Sequence, residues 1–230
     1  MDRKEFLKKG ASSIVGIVAA PSILTSCAPP MDTTPWDGSG PCPVSPRETE
    51  GPFSTHSPAE LVRENIVADR SGIPLMITLT IRNSKTDCSP YAGAIVDLWH
   101  CDADGNYSEY GGAGMQPTDY KAVHFLRGRQ TTNQSGQVGF ISIFPGWYRD
   151  RAPHIHAEIF DAGGTSLLVT QIAFSKETCD RVYAAAGYHG PAATLNEKDN
   201  VFSNSLAGNM ADSLTGDMTN GYALSKAINV

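Results

Sequence analysis

Charge is scarce in this 230-residue chain. Asp, Glu, Lys and Arg make up 18% of it, and the 18 Lys and Arg are outnumbered by 24 Asp and Glu, for a formal net charge of −6 and a pI near 5.5. No basic stripe occurs after residue 10, which excludes the clustered Lys/Arg footprint of a nucleic-acid surface. No two cysteines stand at C-x-x-C spacing, which argues against structural zinc. Long runs of helix-forming residues are few, whereas 22 Gly and 15 Pro punctuate the chain, so the body reads as strands joined by turns. With 40% hydrophobic residues the chain can bury one large domain or at most two small ones, and disorder as its main state is excluded.

At the start, Arg3, Lys4, Lys8 and Lys9 precede an apolar stretch, Ala11 to Leu24, that is too short to span a membrane stably. It ends in Leu24-Thr25-Ser26-Cys27, which resembles the bacterial lipobox; the resemblance implies a lipoprotein signal peptide over residues 1–26 and lipidation of Cys27 as a membrane anchor. Arg3-Lys4-Glu5-Phe6-Leu7-Lys8 is similar to a twin-arginine export signal with Lys4 in place of the second arginine, so both export routes stay open. The expected location is an exported, lipid-anchored position in the cell envelope. Removing residues 1–26 takes away four basic and two acidic residues and leaves a net charge of −8. Residues 27–47, rich in Pro, Gly, Ser and Thr, read as a tether, and the folded domain is expected over 48–230. Cys42, Cys88, Cys101 and Cys179 remain; in an exported protein an even number points to disulfides, with three connectivities open.

Leu75 to Ile81 alternates apolar and polar residues, the pattern of a half-buried strand. Ala94–His100, Gln137–Ile143, His154–Phe160, Leu167–Phe174 and Gly221–Val230 are further strand candidates bounded by turn residues. Their spacing predicts an all-β fold, a β-sandwich with two long irregular stretches, Asp102–Val123 and Cys179–Met218. Only Lys176 to Ala186 reads as helix.

His154-Ile155-His156 is the first place where chemistry is concentrated. On a strand, residues i and i+2 share a face, so two imidazoles project together at a spacing that suits one metal ion. The pair alone is equally compatible with a polar strand face. Only His56, His100, His124 and His189 are present besides.

Ordered segments around this pair carry a family resemblance. Thr49-Glu50-Gly51-Pro52-Phe53, the run from Gly93 to Ser108 (GAIVDLWHCDADGNYS), Phe125 to Thr132 (FLRGRQTT), Pro145-Gly146-Trp147-Tyr148 and Arg151-Ala152-Pro153-His154-Ile155-His156 together resemble the intradiol ring-cleavage dioxygenases over roughly residues 42–180. The resemblance implies a mononuclear non-haem Fe(III) site with Tyr107, Tyr148, His154 and His156 as ligands. Anionic phenolate oxygens favour Fe(III) over Fe(II), and neutral imidazoles complete a mixed sphere. It further implies that Tyr148 takes a substrate proton, that Arg151 steadies negative charge on the substrate, and that Gln171 lies near it. A catechol-type ring and O₂ would be the substrates, a muconate-type diacid the product.

Tyr110 and Tyr120 are expected to pack or to wall the pocket, Arg149 to lie at the surface, and Glu50, Asp97 and Asp102 to be structural. Two departures from the family pattern stand out. Only five residues separate Tyr148 from His154, and the N-terminal helical segment of the catechol and hydroxyquinol branches is missing, which points to the protocatechuate-like or extracellular branch. A surface lipoprotein that binds glycan, polyphenol or a catechol-siderophore without turnover is the alternative. Oligomeric state is not legible from these residues.

Overall fold

The computed structural model describes residues 42–54 and 58–230. The expected signal peptide, Cys27, most of the tether and His56 lie outside them. Strand β1 (Pro74–Asn83) realises the alternation read from the sequence: Leu75, Ile77, Leu79 and Ile81 are buried, and Met76 is exposed. It runs antiparallel to β5 (Gln137–Ile143) and parallel to β9 (Gly221–Asn229), which pairs with β8 (Ser213–Asp217); a two-residue strand, β2 (Ser89–Pro90), pairs with the end of β1. The second sheet is antiparallel, in the order β4 (Arg127–Thr131), β3 (Ile95–Trp99), β6 (His154–Phe160), β7 (Ser166–Ala173).

The sheets face each other across one apolar core. Ile77, Leu79, Val138, Phe140 and Leu224 from the first meet Val96, Leu98, Ile155, Ile159 and Ile172 from the second. Each such side chain taken out of water contributes roughly 1.5–3 kcal/mol, which pins the strand register, because a one-residue slip would turn every one of them outward. The expected all-β sandwich is therefore the observed fold.

Several features differ from expectation. Strand β4 carries Arg127, Arg129 and Gln130 and so lacks apolar alternation; its charges are instead paired inside the structure, Arg129 with both Asp97 oxygens at 2.5 and 2.7 Å. Strand β8 lies within a stretch read as irregular and is mostly exposed, so no buried periodicity marks it. The helix ends at Tyr183 rather than Ala186, starts from a Ser175 cap that accepts the Thr178 N–H, and is joined by a short helical turn at Leu206–Asn209.

Residues 42–47 are not a free tether. Cys42 is disulfide-bonded to Cys88, Ser45 N–H donates to Asn229 O at 2.9 Å, and Arg47 bonds Leu167 O. Cys101 and Cys179 are free and buried, so the even cysteine count yields one bridge among the described residues.

Candidate active site

Strand parity places the site. In β6, Ile155, Ala157 and Ile159 turn into the sandwich core, which directs His154 and His156 to the outer face of the second sheet. Register then builds a row across all four strands of that sheet, with Arg127 opposite Trp99, Trp99 opposite His156, and His156 opposite Gln171. An outer face would normally be wet, yet all four of these residues and His154 are buried. Loops fold over them and bring in two tyrosines.

Tyr107 follows a turn organised by Asp102, whose Oδ1 accepts the N–H groups of Asp104 at 3.1 Å and Asn106 at 2.8 Å. Gly105 in that turn has φ of +81°, and a Cβ there would lie 2.3 Å from the Trp147 carbonyl oxygen. The loop carrying Tyr107 thus presses backbone to backbone on the loop carrying Tyr148, and Gly146 N–H donates to Asp102 O at 3.1 Å. The Gln116 carboxamide clamps the backbone of Tyr107: its Oε1 accepts the Tyr107 N–H at 2.7 Å and its Nε2 donates to the Tyr107 carbonyl at 2.9 Å. Sequence reasoning missed Gln116, whose role exists only once the loop has closed.

The four expected ligands converge. Ring centroids of His154 and His156 lie 4.7 Å apart, Tyr148 and His154 5.7 Å, Tyr107 and Tyr148 5.5 Å, and Tyr107 and His156 6.1 Å. Phe53 stacks on Tyr107 at 4.1 Å and Trp99 stacks on His156 at 4.9 Å, so aromatic planes hold one phenol and one imidazole in place.

Hydrogen bonding fits a cation. His154 Nδ1 donates to Ala152 O at 2.6 Å, which leaves Nε2 with its lone pair, and that atom faces His156 Nε2 at 3.0 Å. Fixing the far nitrogen in this way is how protein metal sites orient an imidazole. Among the described residues, the Tyr107 hydroxyl is buried without a hydrogen-bond partner, as is His156 Nδ1. No group of three or more His, Cys, Asp or Glu among the described residues could hold a metal ion.

Burial lowers both histidines well below the ordinary imidazole range and keeps them neutral, as ligands must be. Burial also pushes Tyr107 up, with Tyr148 adding to the rise, and raises Tyr148 to about 12 against the opposing charge of Arg151. Such phenols stay protonated at neutral pH unless a cation reverses the local electrostatics.

Arg151 and Gln171 also join the cluster. Arg151 donates from one terminal nitrogen to Tyr148 Oη at 3.2 Å and from the other to Gln171 Oε1, while Gln171 Nε2 donates to Thr49 O at 2.8 Å. Arg151 Nε donates to Asp199 Oδ2 at 2.9 Å. Burial works to raise the Asp199 pKa, but the bonds from Arg151 and from backbone N–H groups hold it below the usual carboxylate value. Asp199, in a stretch read as irregular, is the second residue that sequence reasoning missed.

The other expectations sort cleanly. Arg149 is exposed and pairs with Asp150; Asp97 and Asp102 are structural; Glu50 is exposed. Tyr110 packs edge-on against Phe53, and Tyr120 packs against Phe125.

Comparison with known proteins agrees with this geometry. A family model described as "Dioxygenase" matches residues 49–188. Chlorocatechol 1,2-dioxygenase of Rhodococcus opacus is 32% identical over 54% of this chain and 51% of its own, so the match spans about half of that relative. An intradiol ring-cleavage dioxygenase from Tetranychus urticae has a similar structure, with a TM-score of 0.72 at 32% identity over 82% of this chain and 94% of that one. A dioxygenase domain from Streptomyces sp. SirexAA-E shares the fold, with a TM-score of 0.59 at 23% identity over 82% and 98%.

Proposed function

Because this chain belongs to the intradiol ring-cleavage dioxygenases, we propose that Tyr107, Tyr148, His154 and His156 hold a ferric ion and that the protein uses O₂ to cleave a catechol-type ring between its two hydroxylated carbons. The product is a muconate-type diacid. One observation carries this reading: a buried phenol, a half-buried phenol and two neutral imidazoles converge, with the Tyr107 hydroxyl and an imidazole Nε2 pair left for a cation. Phenolate oxygens make the donor set hard enough to favour Fe(III). When bound by Tyr107, Tyr148, His154 and His156, the ion would supply Lewis acidity to the catechol.

The chain's own residues do the rest. Held as a phenolate, Tyr148 would accept at Oη a proton from a catechol hydroxyl, and the Arg151 guanidinium 3.2 Å away steadies the negative charge left on the substrate. A guanidinium holds negative charge without acting as an acid. Gln171 braces Arg151 from β7, and Phe53 and Trp99 exclude water from the rings they cover.

The test is the visible spectrum of purified protein reconstituted with ferric iron, recorded before and after adding catechol without oxygen. A tyrosinate-to-iron band that moves to longer wavelength is expected. A folded protein that stays colourless with iron supplied overturns the reading.

The same proposal includes export and lipid anchoring at Cys27. Its support is the pattern over residues 1–27 and the Cys42–Cys88 bridge, which suits an oxidising compartment. In a bacterial host, radiolabelled palmitate is expected to label the wild type and not Cys27→Ala; equal labelling of both rejects the anchor.

A further inference from the structure

We propose that Asp199 is the positioning residue for Arg151, setting the orientation of the guanidinium beside Tyr148 without itself touching substrate or metal. The inference rests on the function proposed above. The carboxylate is completely buried, and its two oxygens accept four N–H groups: Oδ2 takes Arg151 Nε at 2.9 Å and Ala152 N at 2.8 Å, and Oδ1 takes Val201 N at 2.9 Å and Phe202 N at 3.2 Å. Backbone bonds on both oxygens leave it no freedom to turn.

Asp199 therefore presents a fixed oxygen to a cation that is itself nearly buried, with 9% of its side chain exposed. Phe202, only three residues on, lies beneath the guanidinium, with Cζ 5.7 Å from its ring centre. Asp199 and Phe202 form a seat for Arg151 on one short segment.

The three edges of the guanidinium are held by different partners. Nε meets Asp199, one terminal nitrogen meets the Tyr148 hydroxyl, and the other meets the Gln171 carboxamide. Asp199 bonds the guanidinium at the stem of the fork, and the two terminal nitrogens reach Tyr148 and Gln171. Losing Asp199 leaves a buried cation that settles on whichever anion is nearest, so its geometry follows the substrate instead of preceding it.

Ala152 links the seat to the proposed ligands a second time. Its N–H donates to Asp199 Oδ2 and its carbonyl accepts from His154 Nδ1, so the peptide units flanking this one residue answer to both. The same carboxylate thus fixes the backbone between Arg151 and His154.

The test compares wild type, Asp199→Asn, Asp199→Glu, Arg151→Lys and the Arg151→Lys/Asp199→Asn double variant, each loaded with iron and assayed with catechol. Asp199→Asn is expected to lower kcat at least tenfold with KM changed less than threefold, because the lost contribution is to charge that grows during reaction. Iron content and the tyrosinate-to-iron band are expected to stay as in wild type, which a general loss of structure would not permit. Asp199→Glu is expected to recover at least half of the lost rate.

In the Arg151→Lys background, Asp199→Asn should lower kcat less than threefold, since the guanidinium that Asp199 orients is already gone. Additive losses in the double variant overturn the proposal, as does a bleached or shifted band in Asp199→Asn. If Asp199→Asn does not fold, Asp199→Ser is held to the same criteria. A readout in metal-free protein is also available: solvent exchange of the Arg151 Nε–H by nuclear magnetic resonance is expected to quicken at least tenfold in Asp199→Asn, and unchanged exchange rejects the contact. An inactive, colourless wild type would instead reject the dioxygenase reading, so the two failures are distinct.

Discussion

At the scale of single residues the site carries costs that only a bound cation offsets. A buried hydroxyl with no partner is unfavourable by about 1–3 kcal/mol, and among the described residues the Tyr107 hydroxyl has none. Tyr107→Phe removes the orphan oxygen while keeping the ring that stacks on Phe53. The metal-free variant is therefore expected to match or exceed wild type in urea denaturation, with a gain of up to about 2 kcal/mol, even as it retains less iron after dialysis. A metal-free Tyr107→Phe clearly less stable than wild type would mean that the hydroxyl has a structural partner after all. Residue identity was partly legible here. Strand alternation alone puts His154 and His156 on one face, but nothing local distinguishes Tyr107 or Tyr148 from any turn-flanking aromatic, and those two depended on the order of whole motifs. Gln116 and Asp199 left no local signal, because their partners lie 9 and 48 residues away and meet them only when loops close.

At the scale of elements, the sheets were readable where one face is apolar and unreadable where it is not. β1, β5 and β6 alternate, and their limits were close to those observed. β4 is a strand because its neighbour β3 and the Arg129–Asp97 ion pair make it one, so its charged residues concealed it. The loops obey a different constraint, the close approach of the two tyrosine-bearing backbones. Gly105 combines a left-handed φ with a position where a Cβ would sit 2.3 Å from a carbonyl oxygen. Neither condition admits alanine, and the clashing atom is backbone, which cannot swing aside. Gly105→Ala is accordingly expected to cost about 2–4 kcal/mol in denaturant unfolding and to shift the tyrosinate-to-iron band, since Tyr107 and Tyr148 move apart together. A variant with wild-type stability and spectrum would show that the loops can separate without disturbing either ring.

At the scale of the whole molecule, the apolar core between the sheets and the site on the outer face of one sheet are separate constructions, which lets the site carry strain and orphan atoms without weakening the core. Polar ties cross between the sheets at a few buried places. His100 is one of them: it follows β3 of the second sheet, donates from Nδ1 to Cys101 O at 2.7 Å, and meets Ser142 Oγ of β5 in the first sheet at 2.6 Å through Nε2. Burial lowers its pKa to about 4, with the charge of Arg127 acting in the same direction. A histidine whose pKa is depressed by folding binds its proton first in the unfolded chain. Its contribution is therefore constant above about pH 6.5, falls as pH drops from about 6.5 to about 4, and levels off below that. Between about pH 7 and about pH 5 the loss from this one group is about 2 kcal/mol. Neighbouring carboxylates also titrate, and burial raises the pKa of both Asp97 and Asp102, so the wild-type profile alone does not isolate His100. The difference between wild type and His100→Asn does. The variant has no proton to bind in either state, so its unfolding free energy is expected to fall less on acidification, by about 2 kcal/mol, even though it begins lower for want of the Ser142 contact. Parallel pH profiles for the two proteins would show that His100 binds its proton equally readily in the folded and unfolded chain.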